Sequence, residues 1–591
     1  MAERTVLDLY RHDFDAPREE HYAHWTPHGR RTLSTAEFFC STASLAEALI
    51  DLGVTSGDRV MLVSDDRPEW HIADLAVLDL GAVDVPVYAT LTPDQVAYQV
   101  NDSGAQVAIA ENAEQIAKFL EIRSRCPTLE HLVQIEGPRE EGVFALDDLT
   151  VNTGDGAEQR FWDRAAALDE QSLATIVYTS GTTGDPKGVM LSHDNFVQNA
   201  QYIFRRIRGD RADLVLEFLP LCHAAERTAG YCYMLGGTSK AYCSVEHVGE
   251  LIAAIRPTVF LAVPRVYEKV YQKIFARVDA SSPLKRSLFN WALGVGRHAA
   301  GERVAGRAIG GTPALQHALA DRLVLSKIRA AFGGRERFCV TGAADTPKHV
   351  LEFFHAIGIC MVEAYGLTET CAVVSIGGTE PGSLRLGCVG RPLDNVDVRL
   401  APDGEITVKG PSITTGYWNK PEATADVFDA KGYFHTGDIG EIDDDGFIKF
   451  IDRKKDLIVT SGGKNVAPQT IESQLKKSQL VDSVVVLGDR RRFVSALFSP
   501  NFEELQRWAD AHGVSYNGPS DLTTDASILE AFQQIVDSTN SRLARYEQIK
   551  EFRVLPETLS IEGGHLTPTL KIKRRVVEQQ FADLIEEIYK A

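Results

Sequence analysis

Between residues 178 and 193 the chain reads YTSGTTGDPKGVMLSH, a run of glycines and hydroxyls with a single lysine, Lys187. The hydroxyls of Thr179, Ser180, Thr182 and Thr183, the N–H groups beside Gly181 and Gly184, and the Lys187 ammonium are the donors that phosphate oxygens require. Glycine lets the backbone turn through positive φ and come close to a ligand, and Gly188 is read in the same way. A Walker A loop needs G-x-x-x-x-G-K-[ST] leading directly into a helix. Here Lys187 precedes a glycine, and Val189, Met190 and Leu191 read as a second strand following the apolar strand at 174–178. The loop is therefore expected to hold polyphosphate by another route, with a helix starting only later, capped by Ser192 or Asp194.

Further along, VEAYGLTET at 362–370 offers an aromatic face in Tyr365, a small donor in Thr368 and a hard oxygen ligand in Glu369, the kind that suits magnesium. In GYFHTGDIG at 432–440, Asp438 is a carboxylate able to accept two hydrogen bonds from a vicinal diol. IDRKKDLIVTSGGKNVAPQTIE occupies 451–472, and the basic HLTPTLKIKRR lies near the C-terminus. Taken alone, such a basic cluster is a solvated face, SGGKN is a turn between strands, and a lone histidine such as His223 in FLPLCHAAER is structural.

The elements that must position these residues alternate between strands and helices, which gives an α/β fold. The segment from LAEALIDL to VPVYATL reads as helix, strand, helix, strand, and PTVFLAVPRVYEKVYQKI repeats the pattern. Residues 272 to about 335 read as helices and loops packed outside the main sheet. From about 382 short strands take over, and in VDVRLAPDGEITVKGPS and GEIDDDGFIKFID an Asp-Gly step joins alternating runs, a strong hairpin signal. We therefore expect a large domain, 1–451, of mostly parallel sheets flanked by helices with a β-rich subdomain, and a small mobile α+β domain, 452–591, ending in amphipathic helices.

A length of 591 residues is enough for several cores. With 62 basic and 82 acidic residues the net charge is −20, which argues against nucleic acid as partner and against general adhesion to anionic lipid, leaving only local basic sites. Nine scattered cysteines with no C-x-x-C pair suggest reduced thiols in a cytoplasmic protein. The charged N-terminus has no apolar core of a signal peptide, and no apolar run reaches the roughly 18 residues of a membrane span, so membrane contact is weak and peripheral at most.

In their order from the 178–193 loop to residue 574, these motifs resemble the adenylate-forming superfamily of acyl-CoA synthetases, luciferases and adenylation domains. The resemblance implies that the loop from Thr179 through Ser180, Gly181, Thr182, Thr183 and Gly184 to Lys187 holds the phosphates of ATP. Gly342, Ala343 and Ala344, in TGAAD, would border adenine, and Tyr365 beside Gly366 would stack on it. Thr368 would meet the α-phosphate or acyl-adenylate, Glu369 would support Mg2+, and Asp438 would grip the ribose with Arg453 as a second contact. The K-x-x-R ending selects Lys571 over Lys573 as the catalytic lysine, an ammonium that stabilises charge growing in the transition state. Lys455 corresponds to the hinge of the small domain, and Ser461, Gly462, Gly463 and Lys464 to a loop lining the channel for coenzyme A. His223 stands where family members place a ring near the substrate carboxylate.

Three further features, LPLCHAAER, PTVFLAVPRVYEKV and the helical insertion ending in LSKIRAAFGGRERF, are similar to the long-chain branch. The implied activity is an AMP-forming long-chain fatty acid–CoA ligase: a fatty acid and MgATP give acyl-AMP and pyrophosphate, and domain rotation then lets coenzyme A take the acyl group. Alternatives are a fatty acyl-AMP ligase serving a carrier protein, a CoA ligase for another carboxylic acid, and a non-enzymatic nucleotide-binding scaffold. The oligomeric state is not encoded in any motif.

Overall fold

The computed structural model of the chain describes residues 3–138, 140–150, 154–179, 185–461, 464–560, 562–567 and 572–590. Two sheets dominate. The first has seven strands in the order Phe144–Ala145, His131–Gln134, Val107–Ala110, Arg59–Val63, Val83–Pro86, Leu173–Thr179 and Lys187–Ser192. All are parallel except the last, which pairs antiparallel with Leu173–Thr179. The second has nine strands, with a parallel core that includes Leu214–Glu217, Val259–Ala262, Phe338–Thr341 and Met361–Tyr365, and antiparallel pairs at both edges. Their β-branched and aromatic runs suit strands buried on both faces.

The helix Pro68–Asp79 is buried at every residue, and the helix Ala224–Leu235 at nine of its twelve. Their polar groups reach both sheets: Arg227 contacts Asp84 and Thr175 of the first, and His71 contacts Glu217 of the second. These two helices are thus the filling between the sheets.

The β-rich subdomain is a four-stranded antiparallel sheet, Asp397–Leu400, Glu405–Lys409, Phe434–Ile442 and Ile448–Arg453. Both expected hairpins are present, with Gly404 and Gly446 at positive φ in connections longer than two residues. The smaller C-terminal unit has a three-stranded sheet, Val481–Leu487, Val494–Pro500 and Ile549–Val554, and finishes in the helices Arg574–Gln580 and Ala582–Lys590. The chain passes into this unit through the strand Ile448–Arg453, within which the expected domain boundary falls. Helices Pro264–Asp279, Pro283–Val304 and Gly311–Ala320 fill the region expected to be helical, the middle one packing on Lys348–Ala356.

One local expectation is corrected. Gly188 lies inside the strand Lys187–Ser192 and is not at positive φ; a Cβ there would stand 2.5 Å from Ile176 Cγ2. Its smallness serves sheet packing. The helix that follows is capped by Ser192, whose side chain accepts from the Asn195 N–H.

Candidate active site

The glycine- and hydroxyl-rich loop leaves one strand and enters another, with Thr179 paired to Lys187 across its base. This strand-to-strand geometry is incompatible with a Walker A loop. Ser180, Gly181, Thr182, Thr183 and Gly184 lie outside the described residues. Lys187 Nζ stands 4.7 Å from the centroid of the Tyr417 ring, and the Tyr417 hydroxyl donates to Glu369 Oε1 at 2.9 Å. Tyr417 is itself tied to the loop's second strand, through a bridge to Val189 and a bond from the Trp418 N–H to Gly188 O. Cation, ring and carboxylate are therefore set by one continuous backbone arrangement. Burial and the Glu369 carboxylate raise the Tyr417 phenol, which stays a neutral donor.

Glu369 sits in the short turn Thr368–Thr370, just beyond the strand Met361–Tyr365. Gly366 is required there, because a Cβ would lie 1.9 Å from Ala372 O. The turn closes with Cys371 and Ala372 both at positive φ, backbone states of order 1–3 kcal/mol each for such residues, held by the bond from the Ala372 N–H to Leu367 O. Ala343 is likewise at φ 66° in the segment after Phe338–Thr341, and a Cβ on Gly342 would meet Ala364 O at 2.9 Å. The small residues here bring two strand ends together; Ala344 beside them is exposed.

Asp438, buried in the strand Phe434–Ile442, stands opposite Arg453 in register. It accepts a hydrogen bond from the Tyr365 hydroxyl on Oδ2 at 2.9 Å, and Arg453 Nε lies 3.3 Å from Oδ1. Three motifs that are far apart in sequence thus meet at one carboxylate. Burial, then Asp438, pushes the Tyr365 phenol well up.

Lys455 lies in the turn just after this sheet. Burial and the neighbouring Arg453 lower its ammonium, while Asp438 and Glu369 oppose that shift. Asp452 beside it is buried, accepts from the Gln469 and Arg453 N–H groups, and is pushed up to about 6 by burial.

Ser461 and Lys464 lie in the connection between the short strands Ile458–Val459 and Asn465–Val466, and Thr460 donates to Lys464 O. Gly462 and Gly463 lie outside the described residues. Lys571 does as well, though Leu566 and Ile572 on either side form an antiparallel bridge. His223 caps the helix Ala224–Leu235, its Nδ1 accepting from the Ala225 N–H at 3.1 Å.

Two contributors escaped the sequence reading. Tyr417 is signalled only by GYW at 416–418, which gains meaning through its pairing with Val189. Arg227 stands within the quoted LPLCHAAER but was not singled out. It is fully buried, paired with Asp74 and with Asp84 at 3.0 Å, and donates to Thr175 Oγ1 at 2.7 Å and to the Tyr231 hydroxyl at 2.8 Å. This knot fixes the strand Leu173–Thr179 to the helix capped by His223.

Among the described residues no group of three or more His, Cys, Asp and Glu side chains is placed to hold a metal by itself. A magnesium ion does not need such a cage, since one carboxylate with substrate phosphates and water suffices, and Glu369 keeps lone pairs beyond the one Tyr417 uses.

The AMP-binding enzyme family model matches residues 13–418, and the AMP-binding enzyme C-terminal domain model matches 455–591. The chain is 35% identical over 600 residues to a long-chain-fatty-acid–CoA ligase, FadD15, of Mycobacterium bovis, covering 98% of this chain and 96% of that protein. It is 33% identical to the peroxisomal long chain acyl-CoA synthetase 6 of Arabidopsis thaliana, covering 94% and 81%. In fold it is similar to an anthranilate CoA ligase, AuaEII, solved with anthranoyl-AMP, at a TM-score of 0.73 and 20% identity over 99% of both chains.

Proposed function

The chain belongs to the AMP-binding enzyme family, and from that membership and its near full-length likeness to long-chain fatty acid–CoA ligases we infer that it is an AMP-forming long-chain fatty acid–CoA ligase. ATP, Mg2+ and coenzyme A are its cofactor and co-substrates. The observation that carries the reading is the meeting of Tyr365 and Arg453 on the buried Asp438 carboxylate, together with the linked Lys187, Tyr417 and Glu369.

The chemistry needs two steps. A free carboxylate resists a thiol because it is anionic and would have to expel oxide. One carboxylate oxygen therefore attacks the α-phosphorus of ATP, the bond to pyrophosphate breaks, and acyl-AMP forms. The thiol sulfur of coenzyme A then attacks the acyl carbon, the bond to AMP breaks, and the thiol proton leaves to solvent.

In this reading Asp438, supported by Arg453, accepts from the ribose hydroxyls, Tyr365 and the 342–344 segment flank adenine, and residues 179–187 receive the phosphates. Glu369 would hold magnesium, which when bound neutralises phosphate charge. Thr368 faces the α-phosphate, and Lys571 stabilises charge developing on it. His223, as a helix cap, presents its ring edge to the acyl carboxylate. Lys455 is the hinge about which residues 461–464 replace Lys571 at the site. We place the enzyme in the cytoplasm on its unpaired cysteines; among the described residues no helix is long and apolar enough to cross a membrane.

Purified protein given MgATP and palmitate is expected to release pyrophosphate and AMP, and to make palmitoyl-CoA only when coenzyme A is added. ADP and orthophosphate as products would overturn the reading, and adenylate without thioester would move the enzyme to the acyl-AMP ligases.

A further inference from the structure

We propose that the helical pair Pro283–Val304 and Gly311–Ala320, with the turn that continues it, docks the protein on the anionic face of a lipid bilayer. Of the thirteen exposed large hydrophobic residues among the described ones, six lie here. Leu284, Leu288 and Trp291 recur at helical spacing on one stripe, and Leu315, Leu319 and Leu323 on another; Leu284 is 80% exposed and Leu315 74%. Neither stripe belongs to the core-facing side. The first helix buries Phe289, Ala292, Leu293 and Gly296 against Lys348–Ala356, so closely that a Cβ on Gly296 would stand 2.2 Å from Ala356 O. It therefore cannot roll to hide Trp291. Between the two helices runs an open groove of about 530 Å³ lined by Trp291, Val295, His298 and Pro313.

The charge of this region names the occupant. Residues 281–330 contain eight Lys and Arg against two Asp and Glu, in a chain whose net charge is −20. Both acids are already taken, Glu302 by Arg307 and Asp321 by Arg329. Lys285, Arg297, Arg322 and Lys327 are exposed and make no ion pair among the described residues. Leucine and tryptophan flanked by unpaired cations is the composition of a helix that lies in a membrane interface, where basic groups are drawn to anionic lipid. A second copy of the chain is disfavoured at the same surface, because two equally basic faces repel.

Docking itself does not rest on the ligase reading, and the two are measured separately. Full-length protein is mixed with vesicles of phosphatidylcholine alone or with added phosphatidylglycerol and recovered by flotation. Binding is expected only to the anionic vesicles, with release near 1 M salt, where the screening length falls to about 3 Å. Leu315→Glu with Leu319→Glu, and separately Lys285→Glu with Lys327→Glu, should each weaken binding by at least about tenfold. Both should keep the wild-type thermal transition and, without vesicles, wild-type turnover of a soluble medium-chain acid. The second pair alters only exposed side chains and guards against misfolding of the first. Equal binding to both vesicle types, no binding at all, or variants that bind like wild type would overturn the proposal. A concentration-dependent dimer that the leucine variant abolishes would reassign the surface to a second copy.

Discussion

The Arg227 knot and the seam between the large and small units are both built from ions, yet they do opposite things. In the knot, Arg227, Asp74, Asp84, Thr175 and Tyr231 are wholly buried, and the guanidinium is met by two carboxylates and two hydroxyls. At the seam, Arg265 meets Asp482 at 2.6 Å, Ser473 donates to Asp345 at 3.0 Å, and Lys476 lies 3.6 Å from Glu268. No apolar cluster among the described residues crosses it: the cores of the large unit end by Phe450 and those of the small unit begin at Ile458. A buried ion that loses its partner is costly, whereas polar contacts at an interface exchange for water at little cost. The proposed function uses this contrast: a nucleotide-receiving half held by buried ions, and a covering half joined to it by polar contacts alone.

The strongest way to break this contrast is Arg227→Met. It leaves Asp74 and Asp84 buried without their cation, and we expect a loss of about 3–5 kcal/mol in chemical denaturation of the large unit. A loss below about 1 kcal/mol would place the knot in the same class as the seam. Next comes Lys571→Ala, which should lower palmitate-dependent ATP–pyrophosphate exchange on the order of a hundredfold while largely keeping thioester formation from supplied palmitoyl-AMP. Equal loss in both half-reactions would mean that one arrangement of the small unit serves both.

Lys455→Pro should cut overall thioester synthesis by at least about tenfold, or roughly 1.4 kcal/mol, with exchange kept within about a few fold, because proline fixes φ near −65°. Lys455→Ala, free in φ, should be nearly normal; identical behaviour of the two variants would remove the hinge. Smallest is Lys476→Ala at the seam, expected to change stability by about 0.2–1 kcal/mol, less as salt is raised. A larger effect would mean that the seam is a fixed interface.

Much of this was legible in the sequence because the relevant signals are local. The strand–loop–strand around Lys187, the Asp-Gly hairpins and the turn carrying Glu369 each follow from a few adjacent residues. What was not legible depends on register and burial. Asp438 and Arg453 are fifteen residues apart and meet because two antiparallel strands align them. Tyr417 reaches Glu369 only because its segment pairs with Val189. The helix Pro68–Asp79 is buried all round, so its Asp74 interrupts no amphipathic pattern and its partner Arg227 is invisible until both helices are packed. Gly188 shows the reverse: its place beside a glycine-rich loop suggests turning, whereas the Ile176 side chain occupies the space a Cβ would need.

The most direct test of the two-step account follows one atom. With palmitate carrying oxygen-18 in its carboxylate, attack on the α-phosphorus predicts AMP bearing one labelled oxygen for each palmitoyl-CoA formed, read by mass spectrometry. Unlabelled AMP, or label in orthophosphate beside ADP, would contradict an acyl-adenylate and with it the reading of this site.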